Sequence, residues 1–397
     1  MANYKIGKAT KREEDLRILR GRGRYVDDFK LYNMARGHVL RSPYAHAEIK
    51  SIDVKTRELG PWKSGAFSKL ASHGCLAGWI KKDDGGTEAS ETEIMTFLVS
   101  IASSCLTTAL ALTQWASAVR IISRGSKETR ARFLPDLAAG QQSTTVGISQ
   151  LTTSRQHLGR PILTAKKIDN GWSLHGKCPW VTGADSVNTL VTGAVPLNSK
   201  ESQATPHFFI LHMNSSGIKV APPMDLLALT GSRTSSIELE DVSTEAEITP
   251  QSETGPQTGG LGTTALAIGS TRASLAILEQ ESLRRDALKP ITSEIEKEVS
   301  TIEADLFEAT TYGINTRERN LLRQRANTLV TRTSQAALTA SKGAGFVKGH
   351  PIERLIRESM FFLVWSCPQS ITASLLCDFA GIESRTNGLS GPSINIS

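Results

Sequence analysis

The chain has 397 residues, of which 39% are hydrophobic, and its 46 lysines and arginines against 39 aspartates and glutamates give a formal net charge of +7. A chain of this length and hydrophobic content buries a large core and ordinarily folds into two or three domains. The five cysteines form no Cys-x-x-Cys pair and no Cys/His cluster, which argues against a disulfide framework or a structural metal and favours the cytoplasm. The N-terminus lacks the apolar core of a secretory signal.

Positive charge is concentrated at the N-terminus, where residues 1–58 hold 14 basic and 8 acidic side chains and leave the rest of the chain close to neutral. The cluster of Arg17, Arg20, Arg22 and Arg24 is basic enough to contact nucleic acid, but aromatic residues are sparse around it and no base-reading element follows. A solvated basic segment is the favoured interpretation, so we expect no nucleic-acid partner.

This N-terminal segment also has a family resemblance of its own. Residues 12–28 and 40–49 look like the opening of the large subunit of the molybdenum hydroxylases, the xanthine and carbon monoxide dehydrogenase group, and the likeness covers about residues 7–57. In that family the molybdenum cofactor is held far downstream by residues without counterparts here, so the resemblance implies a fragment without its active site. The turn residues of Gly60–Gly65 mark a junction, which either a gene fusion or a sequencing or assembly join could produce. The fragment alone is too short to bury its apolar strand, which favours partial disorder.

A helical part follows from about residue 75. Ser90 and Glu93 have the spacing of a capping box before a long apolar pattern over 94–122, which predicts one helix. Its start is about as long as a membrane span, but serines and threonines interrupt it, and Gln114 and Arg120 continue it without a break. A buried helix of a soluble protein is therefore predicted, with no membrane partner. A short helix from Lys127 ends at Gly140.

Residues 143–245 have the alternating, turn-punctuated pattern of strands, and Asp169-Asn170-Gly171 is a strong hairpin signal. A compact β-barrel or sandwich is predicted here, followed by an exposed linker over 246–260. The remainder has the pattern of a four-helix bundle. The predicted strands are 162–165, 172–174, 189–192, 207–211 and 237–242, and the predicted helices are 262–286, 290–312, 316–342 and 351–379.

Two segments carry a second resemblance. Lys127–Gly140 is similar to the end of the N-terminal helical domain of the acyl-CoA dehydrogenases, and Gly343–Glu358 closely resembles the start of that family's last helix. The likeness covers about residues 75–380 and implies an α+β fold in the order helices, β domain, helix bundle. The predicted domains are an N-terminal fragment (1–60), a truncated helical domain (61–141), a β domain (142–246), a linker (247–261), a helical bundle (262–381) and a tail (382–397).

The resemblance implies FAD as cofactor. Gly176–Gly183 resembles the family's Gly-x-Lys-x-Trp-Ile-Thr-Asn, in which the tryptophan packs on the flavin ring and the threonine hydroxyl bonds its reactive nitrogen, so it assigns Trp180 and Thr182 to the flavin. Ser149 stands where the family has the threonine of Tyr-x-Ile-Thr-Glu-Pro, facing the pyrimidine edge of the flavin. The alternative is a buried strand tryptophan beside an ordinary threonine.

Further positions follow from the same resemblance. Arg284 aligns with an arginine that reaches a cofactor in the neighbouring subunit, and Gly343, Gly345 and Phe346 would complete the adenosine end. Since cofactor sites of the family straddle subunits, a homodimer or homotetramer is implied. A solvent-exposed arginine is the alternative at position 284.

The substrate and base positions depart from the family. Ser154 and Arg155 replace the first residues of its Gly-Ser-Asp, which helps to hold acyl-CoA. Ser366, followed by Cys367, replaces the glutamate that removes a substrate proton, and serine has no useful basicity at neutral pH. Three functions stay open: an oxidoreductase acting on an acyl thioester with an altered base, a flavin monooxygenase, or a binding or scaffold protein without activity. The sequence identifies no electron acceptor.

Overall fold

The computed structural model describes residues 60–152, 161–197, 206–248 and 260–365, together with Leu376. All of these lie in one compact unit. The predictions for the N-terminal fragment, for Ser154, Arg155, Ser366 and Cys367, and for the C-terminal tail fall outside the described residues.

The first layer of the described fold is helical. It comprises α1 (Ala66–Ser72), α2 (Glu91–Ser104), α3 (Leu106–Ile122) and α4 (Lys127–Ala138). The predicted capping box is confirmed at the start of α2, where Ser90 Oγ accepts a hydrogen bond from the Glu93 N–H at 3.3 Å and Glu93 Oε2 accepts one from the Ser90 N–H at 2.8 Å. Each bond satisfies a backbone or side-chain group that the helix start would otherwise leave unpaired.

The prediction of a single helix over 94–122 is wrong, because the chain breaks at Cys105. This residue is extended, with φ −155° and ψ 99°, and it separates α2 from α3. Just before it, the hydroxyls of Ser103 and Ser104 both donate to the Ser100 carbonyl. Side-chain bonds of this kind compete with helical backbone bonds, and a hydropathy pattern does not register them.

In the described ranges of residues 144–248, the middle of the chain forms a sheet of eight strands. They are β1 (Thr144–Gly147), β2 (Leu163–Ile168), β3 (Gly171–Val181), β4 (Thr189–Pro196), β5 (His207–His212), β6 (Ile218–Val220), β7 (Ser235–Ser243) and β8 (Ala246–Ile248). The order is β6-β7-β3-β2-β4-β5-β8, with β1 paired to β4. The β2–β4 pairing involves only Thr164 with Val195 and Ala165 with Pro196, so two half-sheets meet around a small apolar core. The predicted β domain and its hairpin at 169–171 are confirmed.

The linker predicted from residue 246 begins later than expected. Ala246–Ile248 pairs with β5 as an edge strand, and Ile248 is buried against the helical core. The Glu247 carboxylate also accepts a hydrogen bond from Trp172 Nε1 at 2.7 Å, so contacts from distant parts of the chain hold these three residues on the sheet edge. A signal of three residues is too short to read in a polar stretch. Residues 249–259 lie outside the described part.

The last layer is the helical bundle. It contains α6 (Leu261–Ser282), α7 (Lys289–Tyr312), α8 (Thr316–Gly345) and α9 (Pro351–Ser359), while α5 (Ser149–Thr152) is a single turn within the β domain. The bundle joins the first layer at Gly269, where an added Cβ would lie 2.4 Å from the Val99 carbonyl oxygen. Glycine therefore allows α6 and α2 to approach backbone to backbone, and both layers share one core.

The predicted last helix, 351–379, is interrupted after Ser359, and its part beyond Trp365 falls outside the described residues except for Leu376. It gives way to a 3-10 turn over Met360–Leu363, and Asn327 Nδ2 and Arg323 Nη2 on α8 donate to the carbonyls of Phe362 and Trp365 at 2.9 and 2.6 Å. Arg323 is 1% exposed and Asn327 is fully buried. These donors satisfy carbonyls that a continuing helix would have paired internally, and the bulky run of residues 360–365 favours helix only weakly.

One helix among the described residues, Leu261–Ser282, has the length and hydropathy of a membrane span, but 67% of its most apolar window is buried inside the protein. The described residues contain no group of three His, Cys, Asp or Glu side chains placed to hold a metal ion.

Candidate functional site

A cavity of about 1520 Å³ lies where the three layers meet. Its described walls come from α2 and α3, from the ends of β1 and β3, from the loop 226–234, from the start of α6 and from the segment 360–365. Predicted site residues Ser149, Trp180 and Thr182 all border it, although they are up to 33 positions apart in the chain. Cavities at the junction of layers are the usual place for cofactors and small ligands.

Trp180 is directed into this cavity by an irregularity in β3. Cys178 pairs with Ile237 and Val181 pairs with Ser235. Between these two pairs β3 advances by three residues and β7 by only two, so β3 contains a β-bulge. Pro179 lies in the bulge and has no N–H to donate to the ladder. Trp180 is 48% exposed and lines the cavity, while Cys178 and Val181 on either side are fully buried. The strand therefore presents a flat aromatic face instead of burying it.

Thr182 begins a short chain of hydroxyls along the same wall. Its Oγ1 lies 3.3 Å from Thr234 Oγ1, which in turn lies 2.8 Å from Ser232 Oγ, and all three residues line the cavity. Sequence reasoning selected Thr182 and missed Ser232 and Thr234. The missed pair comes from a turn-rich loop about 50 residues later.

Ser149 supplies an unsatisfied polar atom. Its Oγ is buried and has no hydrogen-bond partner among the described residues, although Ser149 lines the cavity. A buried hydroxyl without a partner costs free energy unless a ligand or ordered water completes it. The neighbouring Gln150 is used differently, because its Nε2 donates to the carbonyls of Gly147 and Gly193, both at 3.1 Å, and so fixes the turn that carries Ser149.

An ion-pair network fixes the loop that carries Ser232 and Thr234. Leu229 and Arg233 have φ of +61° and +49°, which is strained for residues other than glycine. Arg233 Nε donates to Asp185 Oδ2 at 2.8 Å, and Lys63 Nζ donates to the same oxygen at 2.8 Å. Partial burial raises the pKa of the Asp185 carboxyl, but hydrogen bonds from Arg233, Lys63 and Ser186 outweigh it and hold the pKa well below its usual range.

The wall opposite the sheet is formed by the segment that Arg323 and Asn327 hold. Met360, Phe361, Leu363, Val364 and Trp365 line the cavity, and the rings of Phe361 and Trp365 stack 4.9 Å apart. The candidate base position, Ser366, follows Trp365 directly in the chain but lies outside the described residues.

The charged residues on the cavity wall are mostly basic. Among the described lining residues the cations are Arg120, Arg124, Arg319 and Arg357, and the one carboxylate is Glu91. Glu91 is exposed in the first turn of α2, where a negative charge stabilises the helix dipole.

The other predicted cofactor residues lie away from this cavity. Arg284 has a side chain that is 78% exposed, with Nη1 3.9 Å from Glu281 Oε1, and Phe346 is 82% exposed. Gly343 and Gly345 end α8 after a kink at Lys342, whose φ is +53°. An added Cβ at Gly345 would lie 2.7 Å from Ser341 Cβ, so this glycine serves close packing, whereas the space around Gly343 is open. Their assignment to the adenosine end of a cofactor stays a prediction.

Known proteins resemble the chain in sequence. A profile described as the acyl-CoA dehydrogenase N-terminal domain matches residues 42–141, which extends upstream of the likeness read from the motifs. A probable acyl-CoA dehydrogenase, YngJ of Bacillus subtilis, is 22% identical over 345 residues, which cover 80% of this chain and 89% of that protein.

Comparison of folds with solved structures covers more of the chain than the sequence comparison does. Superposition on a glutaryl-coenzyme A dehydrogenase in complex with glutaryl-CoA gives a TM-score of 0.68 at 16% identity, covering 85% of this chain and 92% of the other. The chain has the fold of the acyl-CoA dehydrogenases. The predicted resemblance and the α+β architecture are therefore confirmed. A Bacillus anthracis acyl-CoA dehydrogenase complexed with FAD also superposes, with a TM-score of 0.68 at 14% identity, covering 82% of this chain and 65% of that one.

The resemblance of the N-terminal segment to the molybdenum hydroxylase group is supported by a short partial match. The carbon monoxide dehydrogenase large chain of Afipia carboxidovorans is 45% identical over 67 residues, which cover 17% of this chain but only 8% of that protein. The similarity to this second enzyme is therefore limited to a short segment.

Proposed function

We propose that the protein is a flavin-dependent oxidoreductase of the acyl-CoA dehydrogenase superfamily that holds FAD in the cavity described above. The observation that carries this proposal is the combination of a half-exposed Trp180 face with the unpartnered Ser149 hydroxyl on one wall. A planar heteroaromatic ring with polar edges fits such a wall, because its face stacks on indole and its edge atoms complete the hydroxyl. The FAD complex of the Bacillus anthracis structure supports the choice of cofactor.

Each residue of the site has a distinct part in this proposal. Trp180 orients the ring, Ser149 bonds one polar edge, and Thr182 donates a hydrogen bond to the reactive side of the ring while Thr234 and Ser232 hold its hydroxyl. When bound, the flavin supplies the acceptor for the two electrons taken from the substrate. Apolar side chains of α2, α3 and segment 360–365 exclude water from the ring.

We infer that the substrate is an acyl thioester or a related compound, oxidised at a CH–CH bond. That reaction needs a base at the α-carbon, and Ser366 does not supply one. This replacement favours a second candidate, a flavin monooxygenase on the same scaffold, in which reduced flavin and oxygen do the chemistry without a carboxylate base. A scaffold that has lost its chemistry is the third. We also propose a cytoplasmic homodimer or homotetramer.

The test is a visible absorption spectrum of the purified protein after incubation with FAD and removal of unbound cofactor. The proposal expects a retained flavin band. Bleaching of that band by an acyl-CoA without oxygen then supports the dehydrogenase, and oxygen-dependent turnover with reduced flavin supports the monooxygenase. A folded protein that retains no flavin overturns both in favour of the scaffold.

A further inference from the structure

Two arginines on the cavity wall have no described partner. Arg120 lies in the last turn of α3, whose C-cap is Ser123. Arg124 is the residue directly after this C-cap. Both side chains are exposed and both line the cavity, yet within the described ranges neither makes an ion pair or hydrogen bond through its guanidinium. Arg130, six residues beyond Arg124, contrasts with them, because its Nε donates to Asp84 at 3.0 Å.

The two other arginines of the wall are engaged elsewhere, and within the described residues the Glu91 carboxylate forms no ion pair with Arg120 or Arg124. Arg319 Nη2 donates to the Ile314 carbonyl at 3.5 Å. Arg357 Nε donates to Glu353 at 2.7 Å, and its Nη1 donates to the Leu227 carbonyl at 2.9 Å. Glu91 belongs to the first turn of α2, beside α7, where Thr92 Oγ1 lies 2.6 Å from Thr310 Oγ1. Uncompensated positive charge is therefore concentrated at the C-terminal end of α3.

A helix-dipole role explains only part of this arrangement. A cation in the last turn of a helix is stabilised by the dipole, which accounts for Arg120. Arg124 lies past the last turn, where that effect has decayed. Arg120 and Arg124 are four positions apart, so their like charges disfavour each other slightly, and the fork of each guanidinium group matches phosphate or carboxylate oxygens.

The surface between these arginines and the interior is polar on part of α3 and apolar on α2. Thr113 and Ser117 of α3 line the cavity on the helix face of Arg120, and the apolar lining of α2 consists of Ile94, Met95 and Leu98. A ligand that fills this space has an apolar body and a polar end near Arg120 and Arg124. The apolar body would lie along the same cavity as Trp180.

We propose that Arg120 and Arg124 form an anion-binding subsite that holds a phosphate or carboxylate group of an amphipathic substrate. This inference rests on the proposed function for the chemistry at the ring, since it names the substrate class of the same cavity. The subsite itself needs no cofactor, so its test does not depend on flavin.

The test measures binding of three probes with the same eight-carbon chain, namely octyl phosphate, octanoate and 1-octanol, to the full-length protein by titration calorimetry, with and without FAD. The variants are Arg120→Gln, Arg124→Gln and their double. Lys82→Gln with Lys127→Gln removes the same net charge from exposed side chains that do not line the cavity. All are surface changes, and thermal unfolding checks that each variant is folded.

We expect at least one anionic probe to bind more tightly than octanol, with roughly tenfold weaker binding in each single variant and a larger loss in the double, because charge-assisted hydrogen bonds are lost. The lysine control binds like the wild type. Preference for octyl phosphate identifies a phosphate group, and preference for octanoate a carboxylate. Equal binding of all three probes, or unchanged binding in the double variant, overturns the subsite. Arginine-dependent binding in a protein that retains no FAD overturns the proposed function alone.

Discussion

At the scale of single residues, the hydroxyl of Ser149 is the feature that most directly indicates a ligand in the cavity. This hydroxyl is buried without a partner in a cavity wall, whereas among the described residues Ser334 Oγ, for example, donates to the Thr331 carbonyl at 2.9 Å. The other unpartnered buried hydroxyls of the described residues do not line the cavity, and they belong to Thr264, Ser270, Ser274 and Thr333. Natural proteins keep few unsatisfied buried groups, and those they keep need a reason. A ligand that completes the bond is such a reason.

We predict that Ser149→Ala changes stability and flavin binding in opposite directions. The flavin-free variant should be as stable as the wild type or up to about 1 kcal/mol more stable, because an unpaired buried group is removed. Its affinity for FAD should fall by roughly 3- to 10-fold, because one hydrogen bond to the ring is lost. Thermal unfolding and equilibrium dialysis measure the two effects.

Ser334→Ala is the matched control. Its hydroxyl is already bonded, so we expect a destabilisation of about 1 kcal/mol with FAD affinity unchanged. A Ser149→Ala protein that is destabilised to the same degree and binds FAD normally would show that the Ser149 hydroxyl has a structural partner and no ligand.

At the scale of elements, the loop 229–233 depends on Asp185. The ion pairs to Arg233 and Lys63 hold a strained turn in place, and this turn carries Ser232 and Thr234 to Thr182. Removing the charge leaves the arginine without its main partner. The strain is then no longer compensated, and the loop is free to leave the cavity wall.

We predict that Asp185→Asn lowers the free energy of unfolding by about 1–3 kcal/mol and weakens FAD binding. The pKa of Asp185 in the folded state lies below its unfolded value of about 3.9, so its stabilisation is present above that pH and is lost as the pH falls toward the folded pKa. The variant should therefore lose less stability than the wild type when the pH drops from 5 to 3. Equal acid sensitivity of the two proteins in chemical denaturation would contradict this role.

The end of α9 depends in a similar way on buried donors from α8. Asn327 bonds the Phe362 carbonyl, and the neighbouring residues Met360, Phe361 and Leu363 form one wall of the cavity. We predict that Asn327→Ala destabilises the protein by about 1–3 kcal/mol, since a buried side-chain hydrogen bond to the Phe362 carbonyl is lost. It should also weaken FAD binding through the displaced wall.

Gln335→Ala, on the exposed side of the same helix, is the control and should change neither property. If Asn327→Ala destabilises the protein but leaves FAD binding at the wild-type value, the segment 360–365 does not shape the site.

The sequence predicted elements better than it predicted their ends. The capping box at Ser90, the hairpin at 169–171 and the start of α9 at Pro351 are local signals, and all three are confirmed. The break at Cys105, the edge strand β8 and the end of α9 depend on side-chain bonds, on contacts of Ile248 and Glu247, and on donors from α8 respectively. These are tertiary effects that override local pattern.

Residues of the candidate site were likewise predicted where the signal is local and missed where it depends on the fold. Trp180, Thr182 and Ser149 were found because family motifs surround them. Ser232 and Thr234 were missed because only the fold brings their loop to Thr182, and Arg120 was read simply as a polar residue of a helix.

At the scale of the whole molecule, the far end of the bundle has apolar side chains on its surface. Leu283 and Phe346 are each 82% exposed and Val347 is 61% exposed, and the Arg285 guanidinium bonds the Ala340 carbonyl between the two segments. Large exposed apolar groups that lie together mark interaction sites. Arg284, the predicted contact to a neighbouring cofactor, lies in the same region.

We predict that the protein sediments as a dimer or tetramer and that Phe346→Glu weakens this assembly at least tenfold, because a charge would be buried in the interface. Tyr312→Glu, at an exposed aromatic on the end of α7, is the matched control and should leave the assembly intact. A wild-type protein that is monomeric at micromolar concentration would contradict the prediction.

The central claim is that a flavin stacks on Trp180, and the most direct measurement is the amount of FAD retained by Trp180→Leu compared with Trp172→Leu. Both tryptophans lie on β3, but Trp172 bonds Glu247 at 2.7 Å and does not line the cavity. Our account predicts that the wild type and Trp172→Leu retain FAD, with its fluorescence quenched, and that folded Trp180→Leu retains at most a tenth as much. Equal retention by the two variants would contradict it.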